Sequence, residues 1–295
     1  MNRPEWAPPG IDVERPSAAR LYDYFLGGSH NFAADRAVAQ QLLATAPDIP
    51  LIAQANRAWL RRAVSMLARS GIRQFLDIGS GIPTLGNVHE VAREIVPDAR
   101  VVYVDLDPVA VAHSSVLIRG QEGVAAVQGD VRKPADILHH PTVRGLIDFN
   151  QPVALLVIAL LQFVRDEDGP DDIMRQLRDA LPSGSYLALS HGVVDGWRHD
   201  KEMVKSLYNR TTTPTATRTR AEVAPFFGDF ELVDPGLVWV TQWRPDQPSN
   251  MDGIKAAKSA VVAGWGANRD RRARTAWLID GQHITRVARA WARAI

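Results

Sequence analysis

The chain predicts an α/β fold: a doubly wound, mostly parallel sheet of about seven strands with an antiparallel hairpin at one edge. Three observations predict it. Apolar runs of strand length alternate with amphipathic runs of helix length from residue 71 to residue 191, the pattern of a parallel sheet wound by crossover helices. Val153–Leu161 is apolar at every position, as suits a central strand covered on both faces. The stretch "FLDIGSGIPT", Phe75–Thr84, runs a strand into a glycine-rich turn, where backbone can come close to a bound molecule.

Residues 1–16 are rich in proline and charge and read as an arm. Ser17 is placed to cap a helix over "SAARLYDYFL", which Gly27 and Gly28 would end. A second helix covers "NFAADRAVAQQLLAT" and stops before Pro47. A third starts after Pro50, with Leu51, Ile52, Ala55, Trp59, Ala63, Met66 and Leu67 at helical spacing and Gly71 at its end. Residues 1–70 thus read as an N-terminal arm and helical lid. In the core, residues 71–245, strands are expected at "RQFLDIG", "ARVVYVDLD", "VAAVQGD", "PVALLVIAL" and "SYLALSH". Helices are expected at "TLGNVHEVAREIV", "PVAVAHSSVLI" and "GPDDIMRQLRDAL". Thr219 and Glu222 fit a capping box. "FELVD" and "LVWVTQW", separated by Pro235 and Gly236, are close enough to pair as the edge hairpin. Residues 246–295 read as a basic C-terminal extension. "ITRVARAWARAI" places Ile284, Val287, Ala288, Trp291 and Ile295 on one helix face, with Arg286, Arg289 and Arg293 away from it. Such a helix docks on its own core or on a partner subunit; neutralising the phosphates of RNA or another polyanion is the competing use.

Composition removes several function classes. There is no cysteine, so disulfides, thiolate metal sites and a cysteine nucleophile are excluded. A formal net charge of +1 gives the whole molecule no bias toward nucleic acid or acidic membranes. The first residues hold no apolar signal core, and no apolar run is long enough to span a bilayer, so a cytoplasmic protein without membrane association is expected. His139 and His140 are adjacent in a loop, a weak pattern for ligation, and no metal is expected.

The loop Asp77-Ile-Gly79-Ser-Gly81-Ile-Pro83-Thr84 lacks the third glycine of a dinucleotide fingerprint, since Thr84 stands there. Pro83 suits the first turn of a helix. Asp77 would repel a pyrophosphate and attract an ammonium group. The loop therefore suits a cofactor with a positive amino-acid end and no phosphate, and S-adenosyl-L-methionine (SAM) is such a molecule. On the loop alone, a tight turn without ligand competes with this reading. Asp105 ends the second strand, where a carboxylate can accept from both ribose hydroxyls, at roughly 1.5–3 kcal/mol for each charge-assisted bond. It would serve NAD equally well. Leu106 can cover one face of an adenine, while the rival acid Asp107 precedes Pro108 and better fits a helix start. Asp130 ends the third strand. Its carboxylate can accept from an adenine amino group and the Val131 N–H can donate to a ring nitrogen; helix capping is the alternative use. All three acids lie at the carboxyl ends of parallel strands, the side on which such sheets bind ligands.

The segments "SAARLYDYFLGGSHNFAADR", "ANRAWLRRAV", "GIRQFLDIGSGIPTLGNVHEVA", "ARVVYVDLDPVAVAHS", "LRDALPSGSYLALSH" and "PGLVWVTQWRPD" resemble the bacterial SAM-dependent methyltransferase family first catalogued as a domain of unknown function. The resemblance covers about residues 15–245. It implies a class I, Rossmann-like fold, SAM as cofactor and a transferase reaction, and supplies no defined substrate. Carried onto this chain, it implies Asp77, Gly79, Ser80 and Gly81 at the methionine end, Asp105 and Leu106 at the ribose and adenine, and Asp130 with Val131 on the adenine. Ala159 and Arg20 are further cofactor candidates, Arg20 for the carboxylate, although solvent exposure is the commoner fate of an arginine. Where the family has Leu-His-Phe after the fourth strand, this chain has Leu161-Gln162-Phe163, so Gln162 cannot serve as a base there.

Methyl transfer needs mainly alignment of donor and acceptor, worth roughly 7–11 kcal/mol, and a base only when the acceptor must lose a proton. His191, just after the fifth strand, is the best-placed base, with a structural histidine as the competing reading. Tyr22, Asp23 and Tyr24 can close over the site, but two tyrosines two apart cannot share a helix face, so at least one packs inward. No Asp/Asn-Pro-Pro-Tyr follows the fourth strand, where "IALLQF" stands, which argues against amino-methylation of nucleic-acid bases. Residues 195–225 are expected to wall the acceptor pocket. The expected function is methyl transfer from SAM to O or N of a small-molecule acceptor, with a homo-oligomer left open. The alternatives are an RNA- or protein-directed methyltransferase, a SAM-binding regulator without turnover, and an NAD-dependent oxidoreductase, which Asp77 and Thr84 disfavour.

Overall fold

The computed structural model describes residues 11–83, 86–245 and 260–269. Three helices open the chain: α1 (Ala18–Phe25), α2 (Ala33–Thr45) and α3 (Ile49–Arg69). Ser17 caps α1, its Oγ accepting from the Arg20 N–H at 3.3 Å. Asp35 in the first turn of α2 reaches back to accept from the Phe32 N–H at 2.8 Å. Leu21, Phe25, Val38 and Leu42 bury their side chains together with Ala53 of α3, giving this lid a small core of its own. Farther along α3, Trp59, Ala63 and Leu67 are fully buried against the sheet. Leu51, expected on that stripe, faces outward because Ile49, Ile52 and Ala53 take the buried positions of the first turns.

The remaining elements are β1 (Gln74–Ile78), α4 (Val88–Arg93), β2 (Arg100–Asp105), α5 (Pro108–Leu117), β3 (Val124–Gln128), α6 (Pro134–Leu138), α7 (Pro141–Leu146), β4 (Ala154–Ile158), α8 (Pro170–Asp179), β5 (Tyr186–Gly192), α9 (Lys201–Tyr208), α10 (Arg220–Val223), β6 (Glu231–Leu232), β7 (Val238–Trp239) and β8 (Val261–Ala267). They form one sheet of order β3-β2-β1-β4-β5-β8-β6, with β7 also on β8. The first five strands are parallel, and β8 runs antiparallel to β5, β6 and β7. This is the doubly wound α/β fold with an antiparallel edge. Among the described residues no helix is long and apolar enough to cross a membrane.

The expected hairpin is corrected in its pairing. β6 and β7 do not pair with each other; each pairs with β8, which inserts between β5 and β6. A strand flanked on both sides and covered on both faces must be apolar throughout, and all seven positions of "VVAGWGA" are buried. The expected core boundary at residue 245 therefore falls before the last strand of the sheet. The arm before residue 11 and the helix expected over "ITRVARAWARAI" lie outside the described residues, as does Thr84.

Strand alternation separates two cores. Phe75, Val101, Tyr103, Leu156 and Ala188 face α3 and α4. Leu76, Val102, Leu155, Leu187 and Leu189 face α6, α7 and α8. That alternation decides which strand-end side chains can meet α3.

Candidate active site

β1 lies between β2 and β4, so the winding of the sheet reverses beside it. Ligands bind outside the carboxyl ends of the strands at such a switch point. A cleft of about 730 Å³ opens there, roofed by the lid and by α9. Asp77, Gly79, Ser80, Gly81, Asp105, Leu106, Asp130, Val131 and Ala159 all border it, as do Arg20, Tyr22 and Gln162.

The glycine loop is shaped by two left-handed residues. Gly79 has φ +73°, a conformation that strains any side chain, and a Cβ there would lie 2.6 Å from Leu160 Cδ1, so Leu160 would have to shift. Gly81 has φ +68° and no heavy atom within 4 Å of an added Cβ, which leaves its face open. The Gly81 N–H donates to Asp105 Oδ2 at 2.7 Å, tying the two strand ends together. The other Asp105 oxygen accepts from the Asp107 N–H at 2.8 Å. Burial, offset in part by these bonds, pushes the Asp105 carboxyl up to about 6. Asp107 takes the other use weighed for it: its Oδ1 caps α5 through the Val109 N–H at 2.8 Å.

Asp77 shares the parity of Phe75 and faces α3. Burial pushes its carboxyl up to about 7; the charge of Arg57 opposes that shift and Asp105 adds to it. No hydrogen bond from the described residues contributes. Arg57 was not singled out from the sequence. It borders the cleft, and its Nε is buried without a hydrogen-bond partner. Among the described residues, a buried carboxylate that no hydrogen bond satisfies beside a guanidinium with an orphaned N–H matches the ammonium and carboxylate of a free amino-acid end. A sequence signal for Arg57 existed. Ala53, Asn56, Arg57 and Leu60 follow helical i, i+3, i+4, i+7 spacing, and all four line the cleft.

Asn56 ties the lid to the sheet. Its Nδ2 donates to the Tyr22 hydroxyl at 3.1 Å, which donates to the Ala53 carbonyl at 3.1 Å. Its Oδ1 accepts from Ser190 Oγ at 2.7 Å. Ser190 Oγ in turn accepts from the Ala159 N–H at 3.0 Å, holding Ala159 at φ 51°. A left-handed alanine is strained, and here it turns the chain away from β4 at the cleft edge.

Several expected roles are corrected. Arg20 borders the cleft, but its guanidinium donates to Asp35 Oδ2 at 2.9 Å, to Asp107 Oδ2 at 3.3 Å and to the Arg15 carbonyl. Two carboxylates already answer its charge, so it is a lid tie and not the carboxylate anchor. His191 does not border the cleft. It shares the parity of Leu187 and Leu189 and points to the opposite face of the sheet, stacked 6.2 Å from Phe226. Its Nδ1 meets the Gly192 carbonyl and its Nε2 accepts from Arg218 at 3.3 Å. Burial chiefly lowers its pKa to about 4. It is a neutral structural histidine, not an acceptor base. Tyr24 also lies off the cleft and packs in the lid core. Tyr22 stays at the cleft, with burial raising its hydroxyl pKa.

Asp130 borders the cleft, where Arg132 holds it with bonds of 2.7–3.0 Å. Burial alone would raise its pKa; the Arg132 bonds outweigh that and hold it down. Gln162 Oε1 accepts from the Gly192 N–H at 3.2 Å, which leaves the amide nitrogen as a donor. His139 and His140 serve local helix ends, His139 on the Ala135 carbonyl and His140 capping α7.

Known proteins share this fold at substantial sequence identity. A candidate methyltransferase from Thermobifida fusca YX is 40% identical, with a TM-score of 0.85 over 90% of this chain and 100% of that one. A DUF574 family protein from Streptomyces avermitilis MA-4680 is 41% identical, with a TM-score of 0.83 over 87% of this chain and 99% of that one. No curated protein matches. The family model described as "S-adenosyl methyltransferase" matches residues 4–269, from the arm through β8. A match of that extent, over a sheet whose switch point offers partners for an amino-acid end and a ribose, places the chain in the S-adenosyl methyltransferase family, with S-adenosylmethionine as its cofactor.

Proposed function

We propose that this methyltransferase acts on O or N of a small-molecule acceptor. The observation that carries the reading is the continuous cleft of about 730 Å³ from Asp77 to α9, a volume in the range of small-molecule sites. Asp77 and Arg57 hold the amino-acid end of the cofactor, Asp105 the ribose, and Asp130 with Val131 the adenine. Bound SAM supplies an activated methyl on a sulfonium, displaced in line by the acceptor atom. The chain's own task is then alignment and exclusion of water. The lid helices α1 and α3 cover the cleft, and the Tyr22–Asn56–Ser190 hydrogen bonds fix that cover to β5. Gln162 presents a donor, not a base, beside the acceptor.

Calorimetric titration with S-adenosylhomocysteine (SAH) tests the cofactor half. Saturable one-to-one binding that Asp77→Asn weakens is expected. A protein freed of co-purifying ligand that still shows no binding would overturn the site assignment.

A further inference from the structure

The far wall of the cleft is one face of α9. Lys201, Val204, Lys205 and Tyr208 line it at i, i+3, i+4 and i+7 spacing. The helix is fixed in this orientation from both ends. Asp200 caps it through the Met203 N–H at 2.9 Å, and Leu207 is buried in the lid core with Val204 and Tyr208 packed beside it. Lys201 and Lys205, four residues apart, both border the cleft. Asp12, Asp77, Asp105, Asp107, Asp130 and Asp168 border the cleft, yet among the described residues none of them makes an ion pair with either lysine.

Two further donors border this half of the cleft. Gln162 has its Oε1 taken by the Gly192 N–H, which leaves its amide nitrogen as a donor. The Trp197 indole N–H is buried without a partner, and Trp197 also borders the cleft. Between these donors the wall is aromatic, with Phe163 and Tyr208 5.6 Å apart. Two cations and two neutral donors around aromatic faces recognise a molecule that is flat, apolar and rich in acceptor oxygen.

We propose that the methyl acceptor is a small aromatic carboxylate, with its ring between Phe163, Tyr208 and Trp197 and its carboxylate on Lys201 and Lys205. This rests on the methyltransferase reading above and narrows it to a substrate class. The acid is the recognition handle, and the methylated atom lies elsewhere on the ring system, toward Gln162 and Tyr22.

The test is a ligand-observed NMR screen of matched benzoates, benzamides, benzylamines and phenyl phosphates, with and without SAH. SAH binding is read separately by calorimetry, so a failure of the cofactor site is seen apart from the result for this wall. Benzoates are expected to dominate the hits. Their affinity is expected to fall about five- to tenfold in Lys201→Met/Lys205→Met and to hold in Arg69→Met, which removes a charge away from the cleft. The double variant should bind SAH within about twofold of the parent, showing an intact fold. The proposal is overturned by hits confined to amides, amines or phosphates, by no hits in any class, or by benzoate affinity that survives loss of both lysines.

Discussion

Asp77 is a buried carboxyl whose pKa of about 7 falls in the working pH range, and its ionised form is the one that holds an ammonium. Binding of SAH should therefore release protons near neutrality and tighten as pH rises. Between pH 8 and pH 6 the affinity is expected to fall about tenfold, following the ionised fraction of a group with this pKa. Calorimetry in buffers of different ionisation enthalpy measures both quantities, and Asp77→Asn should be weak and nearly flat with pH. Stability moves the opposite way. The folded pKa lies above the unfolded value of 3.8, so this group's contribution to the unliganded fold is full below that value and lost as pH rises through about 7. Arg57→Met should weaken SAH binding about tenfold, the cost of losing one charge-assisted contact, while adenosine, which has no amino-acid end, binds unchanged. Asp77 was legible from sequence because a carboxylate in a glycine turn at a strand end is unusual. Arg57 was missed because an arginine in an amphipathic helix reads as a solvated face. His191 misled for a different reason: it was expected just after the fifth strand, whereas it lies within β5, and strand parity puts it on the far side of the sheet.

At the scale of elements, the turn after β4 is held by a single buried cation. Arg218 donates to the carbonyls of Leu161 and Val164 at 2.8 and 2.9 Å, to Asp166 at 2.6 Å, and to His191. The same turn carries Gln162 and Phe163 into the cleft. His191→Phe removes one acceptor from Arg218 and one donor from Gly192. It should lower stability in urea by about 1–3 kcal/mol and leave SAH affinity within about twofold, because no cofactor contact is touched. A large loss of SAH affinity without loss of stability would return His191 to the site. Elements with strong periodicity, such as α3, β4 and α8, could be read directly. α9 could not, because "KEMVKSLY" carries few apolar residues, and nothing in its pattern marks the two lysines that border the cavity. The capping box at Thr219 was legible because it is local: Glu222 Oε2 accepts from the Thr219 N–H at 2.8 Å.

For the whole molecule, the parallel half of the sheet follows from alternation, whereas the antiparallel half depends on a strand that composition disguised. β8 lies in a segment whose excess of lysine and arginine suggested an extension, and its two glycines weaken any strand signal. It nonetheless pairs with β5 along seven residues and gives β6 and β7 their only neighbour among the described strands. A chain ending at residue 259 should fail to melt cooperatively in circular dichroism, while one ending at residue 269 should melt cooperatively and bind SAH. The same strand sets a deadline during synthesis. When β5 leaves the ribosome its outer edge is bare, and its partner is about seventy-five residues away, several seconds at ordinary translation rates. An open, apolar strand edge is a template for pairing with other chains. The nascent protein thus passes through an interval in which its cofactor-binding half can already be assembled while its β5 edge is sticky, and its yield in a cell depends on how that interval is shielded.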